Sequence, residues 1–346
     1  GGLLVGASGA LARWDGSSWT TLTAPGGWWN RPSSFYDVTS DSDGIYAGTN
    51  RGACYWNWQY QYQDCISTNE GMPSRWVYAV DMLSTDRLLA GTNEGAALIN
   101  TDNDTVIEVW QAGDETQRSR TVLVDDILYL GFENTGLARY DLVNQEWLQT
   151  WDGDQGMLDD DDVTTLVPGL TYGTIWAGGD FGLTLLDVIN NTVLIDWNRG
   201  LNSGGPTLSN TPPADIEIIG DTLHYSIQRS NGWGASNDLI YRINLTSNSS
   251  KSTLDAGSRL GWSGVIHGIG SVGDHLWIGV RPTQYWNNGD GTIVRWNTSS
   301  ENWSDDLQTI GNVLRVNAQF LGDCFPINSS SCEMWVAYGN NILRRF

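Results

Sequence analysis

Three observations predict an all-β fold, a β-propeller of about eight four-stranded blades. A glycine-marked unit recurs along the 346 residues, each copy alternates apolar and polar residues as strands do, and no segment sustains a helical period. The unit is a short apolar strand ending in Gly, a two- or three-residue polar turn, a second Gly and another apolar strand. GIYAGTNRGACYW (44–56), RLLAGTNEGAALI (87–99), ILYLGFENTGLARYD (127–141) and TIWAGGDFGLTLLD (174–187) carry it. LLVGASGALARWD (3–15) is the same unit with a tighter turn. LHYSIQ (223–228) with DLIYRIN (238–244), and HLWIGV (275–280) with TIVRWN (292–297), split it by longer insertions. EMWVAYGNNILRRF (333–346) is the last copy.

These paired strands are the middle two of each blade, b and c. An inner strand a precedes each pair: FYDVTSD, VYAVDML, TVLVDD, VTTLVPG, IEIIGD, VIHGIGS and LRVNAQF. An outer strand d follows: WTTLTA, QDCIS, VIEVWQA, EWLQTW, TVLIDW, KSTLD and WSDDLQT. Gly6, Gly48, Gly91, Gly131, Gly178 and Gly279 mark the unit at blade-length spacing. The chain reads as one domain, 1–346, with repeats near 1–33, 34–76, 77–117, 118–162, 163–212, 213–261, 262–310 and 311–346. Six blades are full, the first set lacks strand a and the last lacks strand d. The ring is therefore eight-bladed with incomplete terminal blades, or blades completed by flanking sequence, with seven blades as the alternative.

GMPSRWVYAVDMLSTDRLLAGTNEGAALIN (71–100) and GMLDDDDVTTLVPGLTYGTIWAGGDFGLTLLD (156–187) resemble the two-component-regulator propeller repeat. The resemblance covers about two thirds of the chain and fades after about residue 200. It implies the propeller fold and, more loosely, a role in extracellular ligand sensing or surface assembly. No kinase or regulator segment accompanies it.

Composition narrows the partners. The net charge is −22, with Lys251 the single lysine, so nucleic acid and anionic membrane, which need clustered Lys and Arg, are not expected partners. No apolar run is long enough for direct membrane insertion. The cysteines form two local pairs, Cys54 with Cys65 and Cys324 with Cys332, at spacings that suit short disulfides better than metal sites. Disulfides would place the protein in an oxidising compartment, outside the cell or on its surface, with buried free thiols as the alternative.

In a propeller the d–a and b–c connections share one rim, and the a–b and c–d turns share the other. On the first rim the loops 23–33, 68–76, 228–236 and 281–290 present Trp28, Trp29, Trp76, Trp233, Tyr285 and Trp286 beside Arg31, Arg229 and Arg281. Rings in loops flanked by Asn and Arg suit stacking on sugars or anchoring a protein, so Trp28, Trp29, Arg31, Trp76, Trp233, Arg281, Tyr285 and Trp286 form the expected contact set. Folding back of the rings over the blade tops is the structural alternative. N-x-S/T sequons at Asn103, Asn190, Asn244, Asn248, Asn297, Asn302 and Asn328 fall on the opposite rim. The alternative reading is that Asn, Ser and Thr simply make good turns.

Asp152, Asp154, Asp159 and Asp161, within an acidic run that extends to Asp162, could take Ca²⁺ through oxygen ligands. A solvated acidic loop explains them equally, and no other cofactor is expected. No catalytic fingerprint occurs, and the three histidines, His224, His267 and His275, are scattered. Asp37, Asp81, Asp125, Asp215 and Glu217 near the inner strands keep a polysaccharide lyase or glycosidase as an alternative. The leading expectation is a non-catalytic extracellular propeller that binds a glycan or protein through its aromatic rim. A structural subunit packing against copies of itself in a surface layer or filament is the other.

Overall fold

The structure, a computed structural model, describes residues 3–7, 10–14, 19–22, 32, 35–40, 43–57, 59, 61–92, 94–110, 121–132, 135–153, 156–158, 161–179, 182–198, 213–227, 238–261, 264–272, 274–282, 292–303, 308–309, 318–320 and 334–336. The first sheet has three strands, β1 (Leu3–Ala7), β2 (Ala10–Trp14) and β3 (Trp19–Leu22). Five four-stranded antiparallel meanders follow. They are β4 (Phe35–Ser40), β5 (Gly44–Thr49), β6 (Gly52–Asn57) and β7 (Tyr62–Ile66); β8 (Val77–Ser84), β9 (Arg87–Thr92), β10 (Gly95–Asn100) and β11 (Thr105–Trp110); β12 (Thr121–Val124), β13 (Ile127–Phe132), β14 (Gly136–Asp141) and β15 (Glu146–Trp151). Next come β16 (Val163–Pro168), β17 (Thr174–Gly179), β18 (Gly182–Asp187) and β19 (Thr192–Asn198), then β20 (Pro213–Ile219), β21 (Thr222–Ile227), β22 (Ile240–Asn244) and β23 (Ser249–Ser250). The sheet of β24 (Gly264–Val272), β25 (His275–Pro282) and β26 (Thr292–Asn297) has a divided outer strand, β27 (Asn302–Trp303) and β28 (Gln308–Thr309). A pair, β29 (Ala318–Phe320) and β30 (Met334–Val336), ends the series. The β-propeller expectation holds.

The innermost strands of successive sheets pack on one another: β4 on β8, then β12 on β16, β16 on β20 and β20 on β24. The terminal pieces meet. β30 lies beside β1, and β29 touches both β24 and β4. The two partial sheets thus stand next to each other, as separate sheets, between the first and last complete ones.

The repeating glycines have a packing cause. A Cβ on Gly48 would stand 2.8 Å from the Val77 carbonyl oxygen, and one on Gly131 would meet Val163 Cγ1. At these two places strand b comes so close to the next sheet's strand a that no side chain fits, whereas a Cβ on Gly91 would meet only Ala79 of its own sheet, at 3.5 Å. The second glycine answers to backbone conformation: Gly52 has φ 134°, where the preceding Thr49 hydroxyl donates to the Gly52 carbonyl at 2.8 Å. Thr92 repeats that bond to Gly95. Between the sheets lie cores such as Tyr46, Val77, Val80, Leu88, Ala97 and Ile99, and Tyr129, Trp151, Val163, Leu166, Ile175 and Leu186.

Three features depart from the sequence expectations. KSTLD forms strand d only in part: it continues from β23 along β22, the Lys251 amide donating to the Arg242 carbonyl and Leu254 bridging Ile240, before a short helix, α1 (Ala256–Leu260). Asp255 caps that helix by accepting from the Ser258 amide, so a local Asp-x-x-Ser cap ends the strand. WSDDLQT divides into β27 and β28. Strands β4, β8, β16, β20 and β24 each slip register by one residue near their start, at residues 36, 78, 164, 214 and 267. Such bulges bend the strand and leave no compositional mark.

Candidate functional site

The two rims are built differently. In the complete sheets every c–d turn has four residues: 58–61, 101–104, 142–145, 188–191, 245–248 and 298–301. The residue ending strand c caps each one. Asp141 accepts from the Val143 and Asn144 amides, Asp187 from Ile189 and Asn190, Asn100 from Asp102 and Asn103, and Asn297 from Ser300. The fourth turn residue adopts the left-handed conformation at Asp104, Gln145, Asn191, Asn248 and Glu301. These bonds hold carboxylates ionised: the Asn144 amide holds Asp141 below the usual range, and the Asn190 side chain does so for Asp187.

The opposite rim carries the long connections: 23–34, 67–76, 111–120, 152–162, 199–212 and 251–263 between strands d and a, with 228–239 and 283–291 between b and c. Apolar residues pin three of them to the core. Met72, Leu158 and Leu254 are all buried, each in a cluster between neighbouring sheets. The 67–76 connection also holds itself, since the Ser67 amide donates to Glu70 Oε2 at 2.7 Å and Gly71 turns the chain at φ 102°.

Of the expected contact set, Trp76 lies on this rim. It is half-buried, its amide donates to Ser74 Oγ, and the Arg75 guanidinium stands 5.8 Å from its ring centroid. Arg281 sits near the b–c end of β25, opposite Val265, and its side chain lies outside the described residues. Trp28, Trp29, Arg31, Trp233, Tyr285 and Trp286 lie outside the described residues, in the connections just named.

In the acidic connection, Asp161 Oδ1 accepts from the Gly153 amide at 2.9 Å and its carbonyl accepts from Gly136, while Asp152 is half-buried. Asp154 and Asp159 lie outside the described residues. Among those described, no three His, Cys, Asp or Glu residues gather as a metal site. Cys54 and Cys65 form a disulfide across directly opposed positions of β6 and β7. Cys324, Cys332 and the sequon Asn328 lie outside the described residues. The other six sequon asparagines, Asn103, Asn190, Asn244, Asn248, Asn297 and Asn302, all fall in or beside c–d turns.

The inner-strand carboxylates join one sheet to the next. Asp37 accepts the Val80 amide and Asp215 the Ile269 amide, both at 3.0 Å; Asp81 accepts the Thr121 hydroxyl and Glu217 the Ser271 hydroxyl. Asp125 accepts the Tyr172 phenol, and that bond pushes the phenol's pKa up. His224 is fully buried; burial, aided by Arg242, pulls its pKa down to about 4. His275 pairs with Asp274 and the Asn297 side chain. The His267 side chain lies outside the described residues.

Two features escaped sequence reading. Arg139 and Arg242 occupy the same place on strand c. Each donates to a strand-d carbonyl, Gln149 or Ser252, at 2.8 Å and stacks on a Trp, with Arg139 4.1 Å from Trp151 and Arg242 5.1 Å from Trp296. The turn rim also bears exposed apolar side chains, Val143, Leu170, Tyr172 and Ile189, Tyr172 being 75% exposed. Their turns interlock: Leu142 donates to the Asp126 carbonyl, Val188 to that of Gly173, and Tyr172 reaches Asp125 in the neighbouring sheet. Apolar turn residues carry no pattern that marks them as exposed.

No family model matches the chain, and no curated protein matches it. Solved structures do. The computationally designed Ika8 protein superposes with TM-score 0.61 at 12% identity, over 91% of this chain and 87% of the other. The extracellular domain of the hybrid two-component system BT4673 from B. thetaiotaomicron superposes with TM-score 0.62 at 15% identity, over 89% of this chain and 37% of the other. The RRP9 WD40 repeats give TM-score 0.57 at 10% identity, over 82% and 83%. At these identities the likeness is one of fold. Among the described residues no helix is long and apolar enough to cross a membrane.

Proposed function

We propose that this propeller is a non-catalytic extracellular or cell-surface domain that binds a glycan or protein ligand through its long-connection rim. The observation that carries the reading is the asymmetry of the rims. All connections long enough to shape a site lie on one side of the complete sheets, over uniform four-residue turns on the other. Met72, Leu158 and Leu254 hold loops of that rim to the core, which lowers the entropy lost when a ligand orders them. The Cys54–Cys65 disulfide supports an oxidising location, and the likeness to an extracellular sensor domain is consistent with it. The five inner-strand carboxylates already bond to neighbouring sheets, which favours binding over hydrolysis or elimination chemistry.

Screening neutral and acidic glycans, with and without Ca²⁺, together with a secreted-protein panel, tests the proposal. The Trp28→Ala/Trp29→Ala variant is expected to lose about 30- to 1,000-fold in affinity for any ligand found. Its melting temperature should stay within a few degrees. A fall in stability with binding intact would make the two rings structural instead.

A second reading, packing between copies of the chain, draws on the exposed Val143, Leu170, Tyr172 and Ile189. Ordered particles forming without ligand, and dispersing in a Leu170→Ser/Ile189→Ser variant, would support it. A monomer at all concentrations would remove it.

A further inference from the structure

We infer that, among the six sequons in described turns, Asn103 is the glycan acceptor. This rests on the extracellular reading above. Asn103, Asn144 and Asn190 occupy one position, three residues after the capping residue of three c–d turns. Asn144 and Asn190 each donate their Nδ2 to the second carboxylate oxygen of Asp141 and Asp187, both at 2.8 Å. Asn144 does so with no sequon, so the turn alone explains the asparagine there. At the third turn the cap is Asn100, which offers a single oxygen. That oxygen already accepts the Asp102 and Asn103 amides at 3.0 and 3.2 Å. The exposed Asn103 is left without a carboxylate for its Nδ2, and it accepts instead from the hydroxyl of Thr105, the third residue of its own sequon.

The other asparagines are committed to the fold. Asn244 donates to Asp221 at 2.6 Å, Asn297 to Asp274 at 3.1 Å and Asn302 to the Ser300 carbonyl at 2.8 Å. Asn57 caps its turn as Asn244 and Asn297 do, again without a sequon. Asn248 holds the left-handed position that Asn191 also holds without a sequon, and no Ser250 hydroxyl bond to it is found among the described residues.

Transfer needs a free Nδ2. That nitrogen bonds to the anomeric carbon of a sugar carried on a lipid diphosphate; the C1–O bond breaks, the diphosphate leaves with the electron pair, and one Nδ2 proton passes to a base of the transferase. Each asparagine tied to a carboxylate must first lose a charge-assisted hydrogen bond. Its occupancy should therefore be roughly tenfold lower.

Glycopeptide mass spectrometry of the full chain, secreted from a host with N-glycosylation machinery, tests this. Asn103 is expected to carry glycan in most copies, at about ten times the occupancy of Asn190, Asn244 and Asn297. Asn100→Asp restores the second oxygen and should lower Asn103 occupancy roughly tenfold while leaving Asn248 unchanged. Equal occupancy at all six, an unmodified Asn103 in secreted chain, or no response to Asn100→Asp overturns the inference. Ligand binding by the opposite rim enters none of these readouts, so either proposal can fail while the other stands.

Discussion

The two rims of this molecule obey different constraints, although the same strands feed both. On the turn rim each c–d connection is reduced to four residues with an Asx cap and a left-handed fourth residue, and the carboxylates there are held ionised by turn amides. On the other rim length is free, and the chain is tied down at single apolar anchors such as Met72 and Leu158. A turn closed by its own hydrogen bonds has little left to offer a ligand. A loop anchored at one buried side chain keeps the rest of its surface free for one. The difference teaches that in this fold function is best sought where local hydrogen bonding does not already account for the residues.

The comparison breaks most severely if the shared scaffold is disturbed. Gly131→Val should cost about 3 kcal/mol, since the side chain would enter the space of Val163. Thermal melting should show the loss, and an unchanged melting temperature would mean that the sheets are not packed this closely.

Acid sharpens it next. His224 lies near the turn-rim end of β21 and is kept neutral, its pKa pulled down to about 4. A depressed pKa gives stability that is full above the unfolded value near 6.5 and drains away as pH falls toward 4, on the order of 3 kcal/mol in total. The turn carboxylates Asp141, Asp187 and Asp221 are depressed as well, so their contribution fades only below about 3.9, the unfolded carboxylate value. Denaturant unfolding at pH 7, 5.5 and 4.5 should show the first step, and His224→Leu should remove it.

Reduction acts on the other rim. Cys54–Cys65 closes a short loop, with a sequence separation of 11, directly before the 67–76 connection. Its loss should cost about 2–3 kcal/mol and loosen the segment that presents Trp76, read as faster amide exchange over 67–76. The smallest effect belongs to a single cap. Asp187→Ala should lower the melting temperature only slightly and leave ligand affinity unchanged. A loss of affinity there would move the site to the turn rim.

Much of the fold was legible because its repeat is written in glycines that packing cannot replace: Gly48 and Gly131 face the next sheet, and Gly52 needs its positive φ. The disulfide was legible because Cys54 and Cys65 stand on adjacent strands of one hairpin. The early end of strand 251–255 was not, since an Asp-x-x-Ser cap starts a helix at Asp255 and local bonding there outweighs β-pattern. The inner-strand carboxylates could be read as catalytic or structural from sequence, and only their partners in the next sheet, such as Val80 for Asp37, distinguish the two. The exposed Tyr172 and Ile189 were invisible for another reason: exposure of an apolar turn residue depends on the neighbouring sheet. For the site itself, the sequence placed the aromatic loops on one rim, and Trp76 is the member whose surroundings are described.

Amide hydrogen exchange with and without a ligand identified by screening tests the central claim most directly. The account predicts protection over 23–34, 67–76, 228–239 and 283–291, with 101–104, 142–145, 169–173 and 188–191 unchanged. Protection confined to those turns would contradict it.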